Sequence, residues 1–197
     1  MRRLNARLKG RRRLGVAALE LALVLPFLLI ILLAGTDIAR FVATANKIDR
    51  TASSLADLLA RADRLEDKPD CAASNCLGSL YLAADQVARP LDLEGAGMIV
   101  LSAVVNPEGG GATRIAWQRT RGELADAGSR IGSPGTHPDL PKTFAVPDGE
   151  TAVIAEVTYA FDPYPLSGDL LFGAILTERL YRIAYFRPRF SDLSSLE

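Results

Sequence analysis

Residues 16–35 form an almost unbroken apolar run in which Glu20 is the one charged position. Beyond it the pattern changes. Ile38, Phe41, Ala45, Ile48, Ala52, Leu55, Leu59 and Ala62 recur at steps that alternate between three and four, the spacing of a heptad seam. Asp37, Arg40, Lys47, Asp49, Arg50, Asp57, Arg61, Asp63 and Arg64 occupy the other faces. The spacing predicts one nearly continuous helix from Val16 to about Leu65, ~75 Å long at 1.5 Å per residue. Pro26 sits inside it and removes one backbone hydrogen bond, so a kink is expected there. Such a seam needs a partner. Either this chain's own folded domain or another subunit would serve.

After residues 67–70 the patterning becomes shorter. Leu80, Ala84 and Val87 share a helical face over residues 77–89, which Pro90 closes. Four strand-like stretches follow, at residues 97–106, 112–120, 150–161 and 179–187. The first two read as an antiparallel hairpin with Ile115 and Trp117 on one buried face. In the third, Thr151, Val153, Ala155, Val157, Tyr159 and Phe161 lie on one side. Residues 121–149 hold five glycines and four prolines and read as a long surface connection, the kind that often carries function. Residues 166–176 are apolar enough to pack as a loop or short helix, and the tail 191–197 reads as frayed. The whole is an α+β chain: a long N-terminal helix covering an antiparallel sheet of about four strands.

Charge settles how the apolar run is used. The 197-residue chain is formally neutral, but residues 1–15 carry Arg2, Arg3, Arg7, Lys9, Arg11, Arg12 and Arg13 with no acid. A basic stub against a membrane-length apolar run is a topology signal, placing the N-terminus in the cytoplasm and the chain after about residue 38 outside. No aromatic interleaves these arginines, which argues against a nucleic-acid arm. A cleaved secretory signal is the other rival. Its apolar core is usually shorter, about 7–15 residues, and here the helical pattern continues past the run. The expected organisation is a basic cytoplasmic leader (1–15), a transmembrane helix (16–38), its amphipathic extension (39–66) and an extracytoplasmic α+β domain (67–197).

The two cysteines, Cys71 and Cys76, then face an oxidising compartment. A disulfide closing their four-residue loop is the leading reading, and two buried free thiols the alternative. A metal site is not expected, because the single histidine, His137, lies far from both. Glu156 and Asp162 read as solvent-facing carboxylates, so the chain reads as a non-enzyme without cofactors. Glu20 is the anomaly, since an ionisable group in a membrane helix marks function by default. The plainer account is a side chain reaching back to the headgroups.

The opening residues resemble the class III signal of type IV pilins and pseudopilins: a basic leader, a glycine, five residues ending in glutamate, then an apolar helix. In that family a membrane peptidase cuts after the glycine. The resemblance implies a cut between Gly15 and Val16, with Glu20 as the fifth residue of the mature chain. A second resemblance covers more of the sequence. Residues 18–26 (Ala-Leu-Glu-Leu-Ala-Leu-Val-Leu-Pro), Trp117-Gln118-Arg119, Glu156-Val157-Thr158-Tyr159 and residues 185–189 look like TadE/TadG-like proteins of the tight-adherence (Tad) pilus. Leu21 departs from the aromatic that many Tad pilins have there. The short single domain resembles the TadE-type branch.

These resemblances imply a pilin-like fold and the role of a minor pseudopilin in pilus biogenesis and adhesion. The implied partners are the lipid bilayer, the prepilin peptidase, other pilins and the Tad assembly machinery, with no nucleic acid. The place is the bacterial inner membrane or the surface pilus. The new amine of Val16 would lie one helical turn from Glu20, ~6 Å along the axis. In the family such a glutamate fixes the stagger of neighbouring subunits, and a buried charge pair suits a register device. An uncleaved envelope scaffold, or a tethered ligand-binding module using residues 121–149, are the alternatives.

Overall fold

The computed structural model describes residues 2–73, 75–164, 178–190 and 192–197, with side chains inside the first helix described from Val16 onward. Residues 166–176, read above as an apolar loop or short helix, lie outside this set, as does Ser191. The elements are α1 (Arg2–Ala60), α2 (Leu77–Ala88), α3 (Leu93–Ala96), β1 (Gly97–Val105), β2 (Arg114–Arg121), β3 (Thr151–Ala160) and β4 (Arg179–Phe186). The chain divides into two compact units, residues 1–41 with 162–178, and residues 42–161 with 179–197.

α1 is longer at its start and shorter at its end than the apolar pattern suggests. Helical backbone begins at Arg2, so the leader is helical too, and Pro26 lies inside the helix without ending it. The helix stops at Ala60, not near Leu65. Its last turn tightens as the N–H groups of Arg61 and Ala62 donate to the carbonyls of Leu58 and Leu59, three residues back.

The second unit buries Ala45, Ile48, Ala52, Leu55 and Leu59 of the seam, with Thr44, Thr51, Ala56 and Ala60 beside them. The distal seam therefore packs within this chain. Ile48, Leu55 and Leu59 are fully buried, worth about 2 kcal/mol each in transfer free energy. Ile38, at the seam's beginning, stays 45 % exposed in the first unit.

The sheet has the order β2-β1-β3-β4, every neighbour antiparallel. Asp49 of α1 lies 3.8 Å from Arg182 of β4. Near β2, Arg121 sits 5.6 Å over the Tyr81 ring of α2, and Arg119 makes a two-pronged ion pair with Asp67. By strand alternation these β residues share one face, the face that the helices cover.

Ile115 and Trp117 do not share that face. A bulge between Ala103 and Val104 puts Trp117 opposite Ala103 but Ile115 opposite Val104, so the two point to opposite sides. The Trp117 indole N–H donates to the carbonyl of Leu193 at 2.8 Å. Ile115 joins a separate core with Val104, Ile131, Val146, Ala152 and Ile154. That second core overturns the surface reading of residues 121–149. Ile131 and Val146 are buried, and Leu140 and Phe144 pack against the cluster. Phe144 stacks on Tyr185 with ring centroids 4.7 Å apart. The backbone of Thr136 and Gly135 pairs with Ile115, adding hydrogen bonds at the outer edge of β2. The connection covers the sheet face opposite the helices, which is why β3 is buried on both sides from Thr151 to Thr158.

The tail is not frayed. Leu193 is buried, Glu197 donates its N–H to the Leu65 carbonyl, and Asp67 N–H returns to the Glu197 carbonyl, both at 3.0 Å. Cys71 and Cys76 are joined in a disulfide. Their loop lies on the first turn of α2, where a Cβ on Gly78 would run into the Cys71 carbonyl and sit 2.5 Å from that of Pro69. Gly78→Ala is expected to destabilise this unit by about 2 kcal/mol, the overlap outweighing alanine's better helix propensity. Urea unfolding with the disulfide intact measures this.

Candidate membrane and assembly segment

From residue 16 to residue 36 the side chains are exposed or half-buried, and nearly all are apolar, Glu20 and Thr36 being the polar ones. Leu19, Leu21, Leu23, Phe27, Ile31 and Leu32 are each 60–68 % exposed. None of the most hydrophobic 18-residue window is buried within the protein. Twenty-one residues of helix span ~31 Å, the thickness of a hydrocarbon core. Length and composition make this helix a candidate membrane span. Gly15 lies in α1, Val16 is exposed, and Glu20 is exposed on the next turn. No side chain of this protein meets Glu20 in a hydrogen bond or ion pair among the described residues. Val16 and Glu20, one helical turn apart, are both exposed.

At the far end of the run stands a carboxylate whose environment the sequence does not reveal. Asp37 has no exposed surface. It accepts from the Arg40 guanidinium at 2.7 Å and from the backbone N–H of Tyr164 at 2.8 Å. Arg40 also donates to the Asp162 carbonyl at 3.3 Å, and its guanidinium carbon lies 4.5 Å from the Tyr164 ring centroid. The i, i+3 spacing of Asp37 and Arg40 was legible, but the approach of Tyr164 was not.

In the second unit, Glu156 corrects its solvent-facing reading. It is 1 % exposed and accepts from Ser129 Oγ at 2.5 Å, Arg130 N–H at 2.8 Å and Tyr181 Oη at 2.7 Å. The Arg130 guanidinium carbon lies 4.1 Å from the Tyr181 ring centroid. Burial, and then the bond to Glu156, push the Tyr181 hydroxyl well above the ordinary tyrosine range. This cluster ties residues 129–130 to β3 and β4. Its donors consume the carboxylate's acceptor sites, so its arrangement suits clamping the connection to the sheet.

Tyr81 differs. Its hydroxyl is buried without a hydrogen-bond partner among the described residues. Burial pushes it up to about 12, opposed by the charge of Arg121. The raised value means that the neutral hydroxyl's stabilising share is complete below the unfolded tyrosine range, about 10, and is lost as pH rises through about 12. Tyr81→Phe is expected to leave stability at pH 7 within about 1 kcal/mol of wild type and to lose less than wild type by pH 11. Paired urea titrations at the two pH values check both statements.

Among the described residues no group of three or more His, Cys, Asp or Glu side chains could hold a metal ion, and His137 is exposed. A cleft of about 590 Å³ is lined by Glu150, Thr151, Arg187, Arg189, Phe190 and Asp192, with others. Its charged groups are engaged: Arg187 pairs with Glu150 at 3.0 Å, Arg189 with Asp57 at 2.9 Å, and the Thr151 hydroxyl donates to Asp192.

Residues 15–57 match the family model described as TadE-like protein. The match begins at Gly15, runs through the apolar segment and Asp37, and ends on the part of α1 packed into the second unit. No curated protein and no solved structure matches the chain.

Proposed function

We propose, from a chain that is TadE-like over residues 15–57, a structural role as a minor pseudopilin of a Tad-type pilus. The protein is inserted with its N-terminus in the cytoplasm, cut between Gly15 and Val16, and built into or used to prime a thin pilus. The observation that carries this reading is the open apolar surface of residues 16–36, with Glu20 one turn after Val16, inside the segment that matches the family. Such a surface needs lipid before assembly and helices of other subunits after it. The amine released on Val16 would meet Glu20 of a neighbouring subunit and set the axial stagger. The start of the family match at Gly15 supports the position of the cut, since the basic leader lies outside the match.

Mass spectrometry of the protein extracted from membranes tests processing. Loss of residues 1–15 is the expected result. An intact leader in cells with an active prepilin peptidase would overturn it and favour an uncleaved envelope scaffold, for which Gly15→Ala would leave function unchanged and add only the mass of one methylene. The buried residues of 121–149 weigh against a free ligand-binding loop. Deleting that connection would open one face of the sheet, so loss of function on its deletion would not report a ligand site.

A further inference from the structure

We propose that Asp37, Arg40 and Tyr164 form an interfacial anchor that seats the returning chain, residues 162–164, in the outer headgroup layer of the bilayer. This rests on the membrane-spanning reading of residues 16–36 and adds a second point of lipid contact far along the sequence. With residues 16–36 across ~30 Å of hydrocarbon, Asp37 falls at the outer boundary. A carboxylate at that depth is costly unless its acceptors are filled. Here they are filled from inside the protein, by Arg40 at 2.7 Å and the Tyr164 N–H at 2.8 Å. The pair can therefore stand where the dielectric falls.

The two side chains turned outward suit the headgroup layer. Arg40 keeps 44 % of its side chain exposed, and Tyr164 is 44 % exposed with its ring against the guanidinium. An arginine with an apolar stem and a tyrosine with an apolar body and polar tip are the types that settle at membrane interfaces. The exposed apolar side chains of Phe27, Leu28, Ile31 and Leu32 lie on the same helix just before this cluster. That continuity selects lipid as the occupant over a water-soluble partner.

Depth-dependent fluorescence quenching in liposomes of phosphatidylglycerol and phosphatidylethanolamine tests the anchor with the full chain. Trp117, the single tryptophan, is 6 % exposed and supplies the unquenched baseline. Tyr164→Trp is expected to be quenched at least twofold more by lipid spin-labelled near the headgroup than by lipid labelled near the chain end. Phe27→Trp is expected to show the reverse order. Quenching of Phe27→Trp with none of Tyr164→Trp overturns the anchor and leaves the span standing. Absence of quenching in both overturns the span itself. Deep quenching of Tyr164→Trp also overturns the anchor, since it places the residue in hydrocarbon. Asp37→Asn in the Tyr164→Trp background is expected to at least halve the shallow quenching while the circular dichroism of the protein is unchanged. Unaltered quenching would overturn the positioning role of Asp37.

Discussion

Glu156→Ala is expected to cost about 3–5 kcal/mol in urea unfolding of the unit formed by residues 42–161 and 179–197. The reason lies in what the substitution leaves behind. The Ser129 hydroxyl, the Arg130 N–H and the Tyr181 hydroxyl all aim at a carboxylate with 1 % of its surface exposed. A donor left without an acceptor costs up to about 1–3 kcal/mol, and three donors lose theirs together at this part-buried site. Glu156→Gln keeps the shape and one acceptor and is expected to cost less than the alanine. A cycle with Tyr181→Phe should show coupling of about 1 kcal/mol or more, because the hydroxyl and the carboxylate share one bond. Independent, additive losses would show that the cluster is not a clamp. Faster amide exchange over residues 129–131 than over β1 should accompany the loss, since those residues lose their tie to β3.

Glu20→Gln is expected to leave processing after Gly15 intact and to lower the yield of assembled pilus by about tenfold or more. Glutamine has the same length and no charge, so helix and insertion change little. In the proposed assembly it removes the charge that would face a neighbouring subunit's amine, and a loss of about 1.4 kcal/mol per contact is tenfold in association. Glutamate reaching the headgroups alone makes the opposite forecast, because an uncharged side chain at that depth would insert with equal or greater ease. Mature-chain mass together with sheared-pilus yield separates the two. Normal yield from the variant would remove the register role.

Most of the fold could be read from local pattern. The ends of β1, β3 and β4 fall where proline, asparagine and glycine interrupt β-branched runs, and α2 ends just before Arg89 and Pro90. Local pattern has no access to what meets the other side of an element. The heptad seam carries one signal for two kinds of partner, and only the burial of Ala45 through Leu59 distinguishes them. Residues 121–149 have the glycines and prolines of an exposed loop, yet Ile131, Leu140, Phe144 and Val146 supply one layer of the domain. Those four apolar residues, spaced without helical or strand period, were the available signal.

The candidate site divides in the same way. Gly15, Val16 and Glu20 lie close together in sequence, and the resemblance to the pilin signal is what singles them out. Asp37 depends on a residue 127 positions later, Tyr164. Glu156 likewise depends on Ser129 and Tyr181, brought beside it by the sheet and its covering connection.

The bulge in β2 also has an arithmetic meaning. Ile115 and Trp117 serve two interiors on opposite sides of one sheet, although a separation of two residues normally assigns both to the same side. The irregular position, Ala116, changes the parity of the strand. Removing Ala116 would make Ile115 and Trp117 consecutive, so ordinary alternation would keep them on opposite sides, still facing Val104 and Ala103. Deleting Ala116 should therefore cost less stability in urea unfolding than deleting Gln118, a regularly paired position whose loss would turn part of the strand to the wrong side.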